Sequence, residues 1–283
     1  MTYAEILSSL EIGLIYGVVA LGIYLTFRVI DFSDLSCDGS FVSGAAASAV
    51  TLKMGWHPAF ALLSSLLAGG FAGLLTSLLH LRFRISPLLS GILTAFMLYS
   101  LNLRLMGGVP NITLLDEINI FHFGKPLFIL MAISALICLG VSFLLVTDFG
   151  LALRSLAHNR DLAMVGGVRL SSYTLVGLVL SNILIGLGGG LFSQHQGFVD
   201  VSQGTGTLII GLAALMIGEK ILPFRSIWLA CFACFAGSIL YRFALAFALH
   251  SDWLGLESAD LNLLTGLILI LIMCLPRLEG AKG

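Results

Sequence analysis

Three aspartates, Asp31, Asp34 and Asp38, lead into an apolar run that opens with Gly39 and Ser40. Carboxylates at this spacing offer two kinds of chemistry. At a helix amino end they accept free backbone N–H groups and answer the helix dipole, and Asp38 stands immediately before Gly39 for that role. Inside a membrane they could instead meet the amino group of a passing solute, because a carboxylate at a helix centre costs about 2.5–3.5 kcal/mol and is retained for a reason. Asp34, Ser36, Asp38, Gly39 and Ser40 are therefore candidates for lining a solute path. Asn102 joins them from the outer end of another apolar run, beside Tyr99, Ser100 and Arg104.

The remaining polar side chains make no reactive constellation. Arg242 lies well inside an apolar run and needs a carboxylate, a cavity or a carbonyl partner. His195, between Gln194 and Gln196, reads as an outer-surface loop residue rather than a proton relay. Cys231 and Cys234 form a single C-x-x-C without a second pair or a histidine at metal spacing, so they read as small apolar residues and no metal or cofactor is expected. The phosphate-binding pattern G-x-x-x-x-G-K-[ST] is absent, so any ATP that drives this chain must be hydrolysed on another polypeptide. No Ser/His/Asp grouping shares a depth, and an enzyme is not expected.

The elements that must hold these residues are set by composition. Hydrophobic residues make up 58% of the 283 positions and charged residues only 10%, which is a chain built for lipid. A net charge of -1 excludes a nucleic-acid surface. The amino terminus carries no basic stretch of a cleaved signal, and Glu5 and Glu11 flank the first apolar run, so that run is expected to remain as a helix. With about 20 apolar residues needed to cross a bilayer, nine segments emerge: 10–27, 39–52, 59–81, 87–106, 126–146, 173–192, 205–218, 226–249 and 261–275. The second and seventh are short and open with glycine and small polar residues, as broken or tilted helices do. The expected fold is an all-α polytopic membrane protein of about 8–9 transmembrane helices, forming one domain over 1–283. Paired glycines, Gly13 with Gly17 and Gly69 with Gly73, and the glycine-rich stretch 186–190, predict close helix packing.

Lys and Arg divide unequally between the loops. Arg28, Arg82, Arg84, Arg154, Arg160, Arg169, Lys220, Arg225, Arg277 and Lys282 fall on one face, and Lys53, Arg104 and Lys125 on the other, together with Asp116, Glu117, Asp200, Asp252, Glu257 and Asp260. This predicts a cytoplasmic carboxyl terminus and an external amino terminus. The two short segments also resemble each other: Asp34-Leu-Ser36 with Gly39-Ser40 and Gly44 matches Asp200-Val-Ser202 with Gly206-Thr207 and Gly211, with one residue inserted. Five crossings separate the copies, so the repeat is inverted, as in transporters whose halves rock about a central path.

Between the fifth and sixth segments, 147–172 is polar and amphipathic. Leu153, Leu156, Ala157 and Met164 are apolar, whereas Arg154, His158, Asn159, Arg160 and Asp161 are polar, and Gly166-Gly167 supplies a stop. Such a helix is too short and charged to span, and lies along the surface. The pattern Gly150-x-Ala152-x-Arg154-x-x-x-x-Asn159-x-x-x-Ala163-x-x-Gly166 resembles the cytoplasmic coupling helix of ABC permeases of the branched-chain amino acid and ribose importer family. The runs 34–44, 99–112 and 211–220 are similar to its aromatic amino acid subgroup, the tryptophan and tyrosine permeases. That resemblance covers nearly the whole chain. It implies a permease in the bacterial inner membrane, paired with a second copy, an ATP-binding cassette ATPase and an extracytoplasmic solute-binding protein. It also implies coupling to the ATPase through 150–166, with Arg154, His158, Asn159, Arg160, Asp161 and Ala163 as the residues concerned. An amino acid, aromatic or branched-chain, is the implied solute. The competing reading is an ion-coupled secondary transporter that depends on Asp34 or Asp38.

Overall fold

The computed structural model describes residues 3–158, 160–222, 226–249 and 261–274. Eleven α-helices follow in order: α1 (Tyr3–Tyr24), α2 (Cys37–Lys53), α3 (Pro58–Leu81), α4 (Pro87–Leu105), α5 (Pro126–Val146), α6 (Asp148–His158), α7 (Arg160–Val165), α8 (Leu170–Gln196), α9 (Thr207–Ile221), α10 (Ile227–Leu249) and α11 (Leu261–Cys274). Three of them, α3, α4 and α5, start on a proline at the first helical position, where the missing N–H costs nothing. Gly197 and Gly167 take positive φ, 74° and 83°, and so close α8 and α7 as glycine does best. A π-helical turn, Leu25–Val29, continues α1 and carries Arg28.

The nine expected segments each coincide with a helix, but the count of crossings needs correction. Among the described residues, six helices are long and apolar enough to span: α1 with its π turn, α3, α4, α5, α8 and α10. α2, α9 and α11 have 17, 15 and 14 residues, and at 1.5 Å per residue they reach only about 21–26 Å. α2 and α9 are sheltered by the long helices, and α2 presents buried Ser40, Ser43 and Ser48 to protein. The outer helices invert the soluble pattern. Phe96, Leu136, Phe143 and Phe247 are exposed, whereas Ser65, Thr76, Ser90 and Thr94 are wholly buried and bond carbonyls of their own helices, which lets polar side chains sit inside a lipid-solvated bundle.

The packing register shows the inverted repeat. Gly13 and Gly17 of α1 face Ile239 and Phe235 of α10, and Gly69 and Gly73 of α3 face Asn182 and Leu178 of α8. In both pairs the numbers rise on one helix as they fall on the other, so the partners are antiparallel. α1 and α8 are also antiparallel, with Gly22 against Ile185 and Gly188 against Val19. α2 runs parallel to α8, since Ser40 meets Asn182 and Ser48 meets Gln194. α9 opposes α10, with Gly218 on Ala233 and Gly237 on Ala214. The trio α8, α9, α10 therefore runs in the opposite sense to α1, α2, α3. The halves are interleaved: the first helix of each packs on the third helix of the other.

One end of the bundle gathers the carboxyl ends of α1, α3 and α9. Arg28 forms an ion pair with Glu219, Phe32 meets the His80 ring at 5.1 Å, and Leu156 of α6 lines a cleft with Ile30, His80 and Pro87. At the other end a two-stranded antiparallel ladder joins β1 (Asn111–Thr113) to β2 (Phe198–Asp200), with Ile112 opposite Val199.

Candidate functional site

Asp34 ends the extended segment before α2 and is fully buried. One carboxylate oxygen accepts the Ser36 N–H at 2.8 Å and the other accepts from the Asn182 side-chain amide at 2.8 Å. Ser36 and Ser40 both donate to the Asn182 carbonyl oxygen, at 3.3 and 2.5 Å. Asn182 is itself buried in the middle of α8 and also donates to the Leu178 carbonyl. Four polar side chains from the two halves thus satisfy one another in a buried network, which rigidifies a core more than separate pairs would.

Asp38 is a cap, but not of its own helix. It lies in the first turn of α2 and accepts the N–H groups of Gly206 and Leu208 at 3.1 and 2.9 Å, closing the amino end of α9. Gly206 holds φ 87° there. Asp200 and Ser202 repeat the local geometry of Asp34 and Ser36, with the Ser202 N–H on the Asp200 carboxylate at 2.8 Å. The repeat is therefore visible in hydrogen bonds as well as in residue types. Gly39 packs on α4, where an added Cβ would stand 3.1 Å from Ala95 and Leu98. Asn102 of α4 is buried, donates to the Gly39 carbonyl at 3.3 Å and accepts from Ser43 at 2.8 Å. Asp34, Ser36 and Ser40 thus meet at α2–α8, Gly39 and Asn102 at α2–α4, and Asp38 at α2–α9, so the candidates share α2 without forming one cluster.

At the Arg28 end of the bundle lies the surface segment 148–165, whose α6 touches the π turn after α1. Leu153, Leu156 and Ala163 are buried against the bundle. Arg154 is half-buried, donates to the Gly150 carbonyl at 3.3 Å and lines a cleft with Tyr24, Val146, Ser226 and Trp228. Asp161 is exposed. Met164 was expected on the apolar face, yet it is exposed, as is Val165 beside it, by 87%, at the end of α7 before the turn to Gly167; Leu151, in the first turns of α6, is exposed as well. Asn159 and the side chains of His158 and Arg160 lie outside the described residues, as do Arg225, Asp252, Glu257, Asp260, Arg277 and Lys282.

Three further contacts were not anticipated. His195 is not in a loop: it occupies the last turn of α8 and its Nε2 pairs with the Glu11 carboxylate of α1 at 2.8 Å. The Arg242 guanidinium lies 4.6 Å from the centre of the Tyr16 ring, an attraction between a cation and an aromatic face. Asn182 was overlooked altogether, although a lone amide in the apolar run 173–192 is the kind of residue that a membrane core retains for a purpose. Cys231 and Cys234 are buried, and Cys234 donates to its own helix at Ala230.

An inverted repeat of interleaved, lipid-exposed helices, with a surface helix pair at one end, defines a transporter membrane subunit. The fold is shared with a chain titled PsaBC from Streptococcus pneumoniae in complex with Fab, at 16% identity, a TM-score of 0.58 and coverage of 96% and 91% of the two chains. The family described as the branched-chain amino acid transport system permease component matches residues 5–273. A tyrosine transport system permease protein of Clostridioides difficile is 37% identical over 97% of this chain and 92% of its own. A nucleoside ABC transporter permease protein of Lactococcus lactis is 31% identical over 42% of this chain and 39% of its own. The chain belongs to the branched-chain amino acid transport permease family. It is a multi-pass membrane protein and the permease subunit of an ABC importer, and the family implies an ATPase partner.

Proposed function

We propose that this permease imports an amino acid, aromatic or branched-chain, as one of two identical copies. An ATPase would dock on α6 and α7, and a binding protein would deliver the solute at the β1–β2 end. The observation that carries this reading is the exposed row Leu151, Asp161, Met164 and Val165 on a surface element whose Leu153 and Leu156 are anchored in the bundle. A load placed on the exposed row is transmitted through the buried pair to α8 and to the π turn after α1, both of which α6 touches. Arg28, Arg82, Arg84 and Arg169 gather at that same end, which supports its being cytoplasmic. The tyrosine permease relative favours an aromatic solute. Ion coupling through Asp34 or Asp38 is disfavoured, because both carboxylates are already engaged by donors on the protein.

The test is reconstitution in proteoliposomes with the ATPase and the binding protein. ATP-dependent uptake of L-tyrosine or L-leucine is expected, with Val165→Asp reducing ATP hydrolysis stimulated by the loaded binding protein. Accumulation by the permease alone, driven by a proton or sodium gradient, would overturn the reading.

A further inference from the structure

Arg242 stands sixteenth in the 23 residues of α10, about one turn past the middle of an apolar helix, where a cation is costly to keep. It is half-buried rather than sealed, and its guanidinium carbon stands over the Tyr16 ring, 4.6 Å from the centroid. Its Nε is buried without a hydrogen-bond partner. Among the described residues, the two ion pairs are Arg28 with Glu219 and His195 with Glu11, and neither involves Arg242. A guanidinium fixed on a ring but lacking an anion is prepared for a carboxylate, which it would bind through two parallel N–H groups.

A second observation points the same way. Thr207, 99% buried at the start of α9, approaches the Tyr16 hydroxyl, yet its Oγ1 makes no hydrogen bond of normal geometry. In the turn before it, Gln203 uses its carbonyl oxygen on the Asp200 N–H while its Nε2, buried, has no partner. Elsewhere at this junction the polar side chains are paired: Asp38 takes two N–H groups, and Asp34, Ser36, Ser40 and Asn182 satisfy one another. Unsatisfied donors beside a satisfied network, inside a membrane, mark a place where something else completes them.

We propose that Arg242, with the Thr207 hydroxyl on the same tyrosine, receives the carboxylate of the solute as it passes the middle of the permease. The permease then selects for carboxylate-bearing solutes itself, in addition to whatever its delivery partner selects. The assignment rests on the importer reading given above. Tyr16 serves to aim the guanidinium, and its own ring is held by stacking on Phe41, with the centroids 5.9 Å apart.

The experiment compares wild type, Arg242→Lys, Arg242→Gln and Thr207→Val in proteoliposomes holding the ATPase and the binding protein, with L-tyrosine and L-leucine as probes. Uptake and ATP hydrolysis are measured on the same vesicles, and size-exclusion elution of each variant reports folding. Arg242→Gln is expected to lose roughly tenfold or more in uptake, while binding-protein-stimulated hydrolysis stays within about twofold of wild type. Arg242→Lys should be intermediate, and Thr207→Val should raise KM for uptake several-fold with a smaller change in maximal rate. Unchanged uptake by Arg242→Gln would overturn the assignment. So would equal loss of uptake and hydrolysis in all three variants, which would make the residues structural. Absence of ATP-dependent uptake in wild type would instead defeat the importer reading.

Discussion

Asp38 sits in the first turn of α2, yet the Leu208 N–H that it accepts at 2.9 Å belongs to the first turn of α9. A carboxylate from one half of the repeat thereby caps the short helix of the other half. Each hydrogen bond to a charged group is worth about 1.5–3 kcal/mol, and the part-buried setting limits the access of water that would replace it. Asp38→Ala is expected to destabilise the solubilised permease by about 3 kcal/mol and to lower membrane abundance and uptake together. Asp38→Asn, which retains an acceptor oxygen, should cost less. Thermal unfolding in detergent measures this; lost uptake at unchanged stability would mean that Asp38 serves the solute instead.

Asn182 holds the Asp34 carboxylate and both serine hydroxyls at once. Removing the amide strands a buried charge beside two buried hydroxyls. Asn182→Ala should therefore destabilise by about 3–5 kcal/mol, more than Ser40→Ala, which leaves the Asp34 bond in place. Urea or thermal unfolding of the two variants side by side checks the order, and equal effects would deny Asn182 its central position.

At Gly69 an added Cβ would stand 2.1 Å from the Asn182 carbonyl oxygen, whereas at Gly140 nothing lies within 4 Å. In an open helix, alanine is favoured over glycine by about 0.5–1 kcal/mol. Gly69→Ala is expected to push α3 off α8 and to depress the yield of folded protein sharply, and Gly140→Ala to be neutral or slightly stabilising. Fluorescence-detected size-exclusion of both variants distinguishes the outcomes.

Asp200, the last residue of β2, has its carboxyl held below the ordinary value of 3.8, first by the Ser202 hydroxyl, then by the Ser202 N–H, with Asn111 contributing against slight burial. A lowered folded value means that the charged form is the stabilising one. Its contribution is complete above the ordinary value and disappears as pH falls through the lower, folded one. The β1–β2 ladder should therefore be insensitive between pH 8 and 5 and loosen only below about 4. Dipolar broadening between spin labels at Thr113→Cys and Phe198→Cys reports this, and Asp200→Asn should abolish the step.

Much of the architecture was readable from local pattern. Apolar runs marked the positions of nine helices, and Gly167 marked the stop after the surface helices. The repeat was legible because Asp34-Leu-Ser36 and Asp200-Val-Ser202 keep their residue types, each making the same turn. Crossing number was less legible, since α2 and α9 are shielded by protein and need neither the length nor the hydrophobicity of a lipid-facing span. The partners of Asp38, Arg242 and His195 were not legible at all. Each lies more than 160 residues away, and only the interleaving of two opposed halves brings them together. Met164 was misjudged because helical periodicity, continued past residue 158, ignores the separate course of α7.

The interleaving also dictates a schedule for synthesis. The glycine face of α1 is shaped for α10, whose Ile239 is translated about 226 residues after Gly13. At about 5–20 residues per second, that is roughly ten to forty-five seconds. Throughout that interval α1 must wait in lipid or in the insertion machinery with its seam uncovered. A ribosome that stalls beyond α8 leaves the first helix without its mate, and a quality-control protease that reads exposed intramembrane glycine seams would find its substrate there.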